Sequence, residues 1–308
     1  MRVSIVGLLE AAAVVTILFS IITMLPVDYH GLQLFSHFKL QYLVVSLLLL
    51  LLFKWLHNPW IIAALGIAFV VNAAYVLPWY FGTRESSGNT ELKVLHANVL
   101  ARNTAYGRLI KLVDDENPDI IILQEISPAW AAEIQSLRSE YPYSRIEARE
   151  GNFGIALLSR FPLTASQVVT SPPLDYPTIV ADVSVGDKSL HVVTTHPMVP
   201  LGRSFYDARN EQLGTLPALL DSESDASMLV GDLNASMWDF HLRLLEQSSG
   251  LANARAGFGI VPTWPTFMPF AMIPIDHVFV SDSISVTGFR SGSRIGSDHL
   301  PLVVTMTL

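Results

Sequence analysis

The chain has 308 residues, a formal charge of −8, 51% hydrophobic residues and no cysteine, and its mean hydropathy is positive. That length accommodates one large domain plus a smaller element. The missing thiols exclude disulfides, thiolate catalysis and Cys-ligated zinc or iron–sulfur centres, while leaving the compartment open.

The apolar excess lies at the front. Residues 3–25 are apolar apart from Glu10 and a few hydroxyl residues, residues 40–53 carry no charge, and neither do residues 59–79. At about 1.5 Å per residue the third run crosses a hydrocarbon layer of about 30 Å, and the first does so if Glu10 is tolerated. The second is short alone. With Lys39 and Lys54 snorkelling it becomes a span over 39–56; otherwise it is a buried or re-entrant helix. Residues 1–80 are therefore expected to form three transmembrane helices, a multi-pass anchor in the cell membrane with bilayer lipid as a partner. Three crossings put the chain ends on opposite sides. Arg2 and the Lys54/His57 loop favour a cytoplasmic N-terminus and Lys39 votes against it, so the remainder is expected to be extracytoplasmic. Glu10 reads as an interfacial or bundle group and Asn72 as an interhelical hydrogen-bonding residue.

Residues 81–91 are polar and glycine-containing, a linker by composition. Folded structure is expected over 92–308, where 87–308 hold 15 Lys/Arg against 24 Asp/Glu, a formal charge of −9. That balance supplies no broad basic face for nucleic acid, although a local groove stays open. The chain then alternates: a strand over 92–99, a helix around Tyr106 to Val113, a strand over 119–123 and a helix over 128–137. Strands follow at 153–158, 165–169, 178–183 and 190–195, then a helix over 206–220 and a strand over 228–232. Further strands come at 275–280, 284–288 and 300–307. Such a mixture of βα units and hairpins needs layers that bury both helix and sheet faces, hence a compact α/β domain.

Polar residues recur at the ends of these apolar runs: Asn98, Glu125, His196, Asp232, Asn234, Asp276, Asp298 and His299. Glu125 leaves an apolar strand as a hard carboxylate suited to Mg²⁺, with Mn²⁺ as a substitute. In Gly231-Asp232-Leu233-Asn234 the acid and the amide either form an Asx turn or, if the chain stays extended, point together into one cavity. There Asp232 could orient water or hold metal, and Asn234 could donate to a phosphoryl oxygen. Asp276 from another strand is a better partner for His299 than its neighbour Asp298, because adjacent strand residues face opposite ways; an Asp–His pair then activates water. Asp298 stays available for metal or water. His196 can donate to a phosphate oxygen, His277 alternates away as a structural residue, and His96 offers packing or support.

His96-Ala97-Asn98, Leu123-Gln124-Glu125, Thr195-His196, Gly231-Asp232-Leu233-Asn234, Ile275-Asp276-His277-Val278 and Ser297-Asp298-His299-Leu300-Pro301 together resemble the endonuclease/exonuclease/phosphatase superfamily. The likeness runs over residues 92–308 and suggests a membrane-anchored, bacterial-type member. It implies a four-layer α/β sandwich of two packed mixed sheets. It also implies metal-site roles for Asn98, Glu125 and Asp298, with Glu125 the principal ligand. His299 would be the general base oriented by Asp276, Asp232 the water-orienting acid, and Asn234 and His196 the phosphate contacts. The implied activity is Mg²⁺-dependent hydrolysis of a phosphodiester or other phosphate ester, with nucleic acid or a lipid headgroup as substrate. Nothing calls for an obligate protein partner. Trp264 is available for stacking, lipid contact or loop packing, and Arg102, Arg203 and Arg209 are either phosphate contacts or ordinary surface charges.

Overall fold

The computed structural model describes residues 4–25, 28–53, 58–82, 88, 90–171 and 173–308. Arg2, Lys54, Leu56 and His57, on which the expected orientation and second span partly rest, lie outside them, as do 83–87 and 89 of the expected linker. The front of the chain forms α1 (Ile5–Ile22), α2 (His30–Ser36), α3 (Lys39–Phe53) and α4 (Pro59–Val76). Ser4 caps α1 through Gly7 N–H, and the Asn58 side chain with Pro59 at the first position opens α4. Two helices, α1 and Pro59–Tyr80, are long and apolar enough to cross a membrane, or three if α2 and α3 count as one span across their 64° bend. Three independent spans were expected; α3, with 15 residues, is too short to qualify alone.

Lys39 does not snorkel to water. It is fully buried, its Nζ donates to Thr23 Oγ1 at 2.6 Å and lies 4.4 Å from the centre of the Tyr75 ring. Asn72 does bind between helices, Nδ2 donating to Ser20 Oγ at 2.7 Å.

The α/β domain starts with β1 (Glu91–Asn98), α5 (Tyr106–Glu116) and β2 (Ile120–Gln124), a parallel pair with its crossover helix. Next come α6 (Pro128–Glu133), continued as a 3₁₀ turn over Ile134–Ser139, then β3 (Tyr143–Glu147) and β4 (Ile155–Ser159). The chain crosses into a second sheet through β5 (Leu163–Ser171), β6 (Tyr176–Val185) and β7 (Lys188–Thr195), and α7 (Arg203–Leu220) leads to β8 (Ala226–Asp232), parallel to β7. After α8 (Phe240–Ser249), β9 (Ala252–Asn253) and β10 (Asp276–Val280), the strands β11 (Ser285–Ser291) and β12 (Leu302–Thr307) return to the first sheet. The two six-stranded sheets run β11-β12-β1-β2-β4-β3 and β5-β6-β7-β8-β10-β9.

Alternation along the strands explains the layers. Leu92, Val94, Ile120 and Ile122 meet Ile179, Met228, Val230 and Val278 between the sheets. The intervening Leu95, Ile121 and Leu123 pack on Leu109, Leu112 and Trp130 of α5 and α6. On the far side Val193, Leu229 and Phe279 pack on Leu213, Leu216, Leu242 and Leu245 of α7 and α8. The result is a four-layer α/β sandwich with two mixed sheets inside.

The apolar front is docked on this sandwich, beyond the simple tether its linker suggests. Val76 packs with Met237, Trp238 and Ile260, and Trp238 Nε1 donates to the Tyr75 carbonyl at 3.1 Å. The Trp79 carbonyl accepts from both Gly257 and Gly259. Gly259 has φ of 90°, and a Cβ there would stand 2.5 Å from the Tyr80 ring, so no larger residue fits.

Candidate active site

Both parallel pairs end at one edge of the sandwich, the position where α/β folds place their ligands. β1 ends at Asn98, β2 at Gln124 just before Glu125, β7 at Thr195 just before His196, and β8 at Asp232. Asp232 lies opposite Asp276, the first residue of β10. Glu125, His196, Asp232, Asn234, Asp298 and His299 line a common cavity of about 640 Å³. Asn98 and Asp276 are buried at its base, bonded to these residues.

At one end Asp276 sits between two histidines. His299 Nδ1 lies 2.8 Å from Asp276 Oδ2, and His96 Nε2 lies 2.9 Å from Oδ1. His299 Nε2 is 3.5 Å from Asp232 Oδ2. Burial lowers the His299 pKa, but the Asp276 and Asp232 carboxylates outweigh it and hold the group up to about 10. Burial pushes the Asp276 pKa up, while His299 and His96 overcome that and hold it well below the carboxylate range. Burial raises Asp232 to about 6, Asp276 adding to the effect and His299 opposing it. His196 is driven down to about 4, chiefly by burial, and is neutral near pH 7. Its Nε2 stands 3.4 Å from Asn234 Nδ2, and its buried Nδ1 has no hydrogen bond among the described residues.

The Asp276–His299 contact arises from different geometry than strand alternation. Residues 297–299 form a bend ahead of β12, held by the bond from His299 N to Ser297 Oγ. The Asx turn and the shared cavity in Gly231-Asp232-Leu233-Asn234 likewise coexist. Asn234 N donates to Asp232 Oδ1 at 3.0 Å, and Asn234 leaves the extended region at φ 49°, yet both side chains reach the cavity. Of the six non-glycine residues with positive φ among the described residues, Leu100, Glu125 and Asn234 line this cavity, the clustering expected where side chains are aimed at a ligand.

The same cavity is also rich in oxygen. Asn98 Nδ2 donates to Glu125 Oε1 at 3.0 Å and to Asp232 Oδ2 at 3.1 Å, while its own oxygen accepts from Leu100 N. Asn98 therefore clamps two carboxylates together. Ala101 N donates to Glu125 Oε2. Trp264 Nε1 donates to Asp298 Oδ2 at 3.2 Å, leaving Oδ1 buried without a hydrogen bond among the described residues. The Glu125 carboxylate and the orphaned Asp298 oxygen, both on this cavity, are donors of the kind a hard divalent cation takes. Asp232, Asp276 and His299 also offer atoms within 4.8 Å of one another, which could hold an ion. His299 Nδ1 is engaged by Asp276, which leaves Nε2 facing Asp232 either as a proton acceptor or as a ligand atom.

Two supports escaped the reading of the sequence. The Gln124 side chain bridges the sheets, Nε2 donating to the Thr195 carbonyl at 2.5 Å and Oε1 accepting from Asp232 N at 2.7 Å. It crosses directly over Gly231, where a Cβ would stand 2.2 Å from that carbonyl and 2.5 Å from the amide. The signal was a lone amide ending an otherwise apolar strand. The second support is Arg209, neither a phosphate contact nor a surface charge. Fully buried, it pairs with Asp239 at 3.0 Å and donates to the Asn234 carbonyl, bracing the loop after β8. Arg203 pairs with Asp207 at the surface, Arg102 lines the cavity, and His277 is held between Asn253 and the Ala235 carbonyl.

The fold has known counterparts. TDP2 from D. rerio complexed with single strand DNA product superposes with a TM-score of 0.62 at 17% identity, covering 71% of this chain and 100% of that one. An endonuclease/exonuclease/phosphatase from Beutenbergia cavernae gives 0.58 at 20% identity, covering 71% and 72%. Sphingomyelinase C from Streptomyces griseocarneus gives 0.54 at 17% identity, covering 70% and 99%. These likenesses concern the fold. No curated protein matches the chain in sequence. The profile of the Endonuclease/Exonuclease/phosphatase family matches residues 87–299, from the segment before β1 through His299, and the chain belongs to that family.

Proposed function

We propose that the protein is a divalent-metal-dependent hydrolase of phosphate esters in which the His299–Asp276 pair activates water. The observation that carries this reading is the buried Asp276 carboxylate fixing His299 Nδ1, while His299 itself lines a cavity shared with Glu125 and Asp232. His299 takes the proton of a water whose oxygen forms the new P–O bond; the ester P–O bond breaks, and the departing oxygen takes a proton from solvent. Asp232 orients the water. Asn234 Nδ2 and neutral His196 donate to phosphoryl oxygens, where added negative charge is stabilised. Glu125 and Asp298 would hold Mg²⁺ or Mn²⁺, with Asn98 fixing Glu125 in place. Such a cation would polarise the phosphate, stabilise the departing oxygen and offset the negative field that keeps His299 protonated.

The domain limits belong to this reading: an anchor over 1–80, a linker over 81–91 and the catalytic domain over 92–308. So does its address, a cell membrane with the catalytic domain extracytoplasmic, which a cytoplasm-active reporter at the C-terminus tests by staying silent. The activity is tested with the full-length protein in detergent, using p-nitrophenyl phosphate and bis-p-nitrophenyl phosphate. Turnover is expected with Mg²⁺ or Mn²⁺ and its loss with chelator. Failure of every divalent cation to support turnover rejects the reading.

A further inference from the structure

The wall of the catalytic cavity is not supplied by the sandwich alone. Leu34 from α2 and His37 and Phe38 from the α2–α3 corner line it beside Glu125, His196 and His299. This corner is fixed to three loops that leave the catalytic edge. His30 Nε2 is 2.9 Å from the Pro200 carbonyl, His37 Nδ1 is 2.9 Å from Ser236 Oγ, and Gln41 Nε2 donates to the Met272 carbonyl at 2.8 Å. Pro200 follows His196, Ser236 follows Asn234, and Met272 precedes Asp276. The helix bend that begins the α3 apolar run is thus also part of the active-site wall, and the cavity opens beside the apolar helices.

Two of the pinned loops carry exposed apolar side chains. Leu201 is 70% exposed beside Val199, both on the cavity wall. Phe267 is 70% and Phe270 80% exposed, between the cavity residues Trp264 and Ile273. Large exposed apolar groups on two loops that also line the cavity mark a surface suited to apolar contact. Continuity with the α1, α3 and α4 bundle makes that contact the bilayer interface. Charge points the same way. The cavity wall carries Glu125, Glu150, Asp232 and Asp298 against Arg102 as its one Lys or Arg, which is no track for a polyanionic strand.

We propose that the substrate is a membrane lipid carrying a phosphate ester. It enters from the bilayer side, with its acyl-bearing part against Leu34, Phe38, Val199 and Leu201 and its phosphate between Glu125 and His299. This rests on the hydrolase reading above and uses the same bond-breaking step.

The test uses full-length protein reconstituted with Mg²⁺ in vesicles containing phosphatidylcholine, phosphatidylglycerol, sphingomyelin or phosphatidic acid, followed by phosphorus NMR. Soluble bis-p-nitrophenyl phosphate and a single-stranded oligonucleotide are run in parallel. Lipid phosphate turnover is expected. Leu201→Glu, at an exposed position on the cavity wall, is expected to lower lipid turnover about tenfold more than soluble-ester turnover; Leu34→Glu provides the same comparison from α2. Cleavage of the oligonucleotide or the soluble ester with all four lipids intact overturns the lipid assignment and leaves the hydrolase reading standing. Equal losses on lipid and soluble ester in both variants overturn the role of the wall. No turnover of any substrate removes the hydrolase reading itself.

Discussion

The two sheets contain the same device and use it differently. In the first, β1 and β2 are parallel strands joined through α5; in the second, β7 and β8 are parallel strands joined through α7. Each pair delivers its strand ends to one edge, so the topology alone brings four chain exits together. The residues at those exits then diverge. The first pair ends in Asn98 and Gln124-Glu125, amides and a carboxylate with a hard-cation character. The second ends in His196 and Asp232, reinforced by Asp276 of β10, a group that can orient water and meet phosphate. Topology supplies the convergence, and the terminal side chains at the two pairs differ in chemistry.

Under the proposed roles, removing groups from the two pairs should produce different losses. The largest effect is expected from His299→Ala, which deletes the proton acceptor held by Asp276 and should lower kcat about 10²–10⁴-fold in a protein with unchanged circular dichroism. Near-normal turnover would refute the acid–base assignment. Glu125→Gln, on the opposite side, should raise the Mg²⁺ concentration for half-maximal activity about 10–100-fold and leave saturated turnover less affected. An unchanged metal titration would mean the cation sits elsewhere, the Asp232–Asp276–His299 trio being the next candidate. Gly231→Ala attacks the seam between the sheets by forcing Gln124 off the Thr195 carbonyl. Overpacking of this kind costs about 1–3 kcal/mol, visible as a lower melting temperature, and it should reduce activity by displacing Asp232.

How much of this was legible in the sequence depends on whether the signal was local. The all-apolar β2 and the polar residues at strand ends announce themselves by period and position. α8 also had its signals, the Asp239 cap accepting from His241 and Leu242 ahead of buried Leu242 and Leu245, but it was passed over. α2 had none. Its seven residues lie between two long apolar runs, and its defining contacts are with Pro200 and Phe240, far along the chain. Lys39 and Arg209 were misread for a related reason: charge implies exposure until a distant partner, Thr23 with Tyr75 or Asp239, supplies the compensation. The pairing of Asp276 with His299 followed from alternation, while the actual geometry comes from a bend that period-two reasoning does not describe.

The smallest expected effect is on stability, and it isolates the His299–Asp276 pair from catalysis. In metal-free protein His299 is held up to about 10 from an ordinary 6.5, after Asp276 and Asp232 overcome the opposing effect of burial. A folded-state pKa above the unfolded one gives stabilisation that is complete below about pH 6.5 and disappears as pH rises through about 10. Asp276 works in the reverse sense. Its folded pKa is depressed below 3.8 by His299 and His96 against burial, so its contribution is present above that value and lost only in stronger acid. The chelated protein should therefore melt highest near pH 6.5, falling in acid as buried neutral His196 and His277 resist protonation and losing several degrees by pH 10. Asp276→Asn should flatten the alkaline limb, because it removes the principal charge holding the proton on His299. A wild-type melting temperature constant from pH 6.5 to 10 would show that the buried carboxylate does not hold that proton.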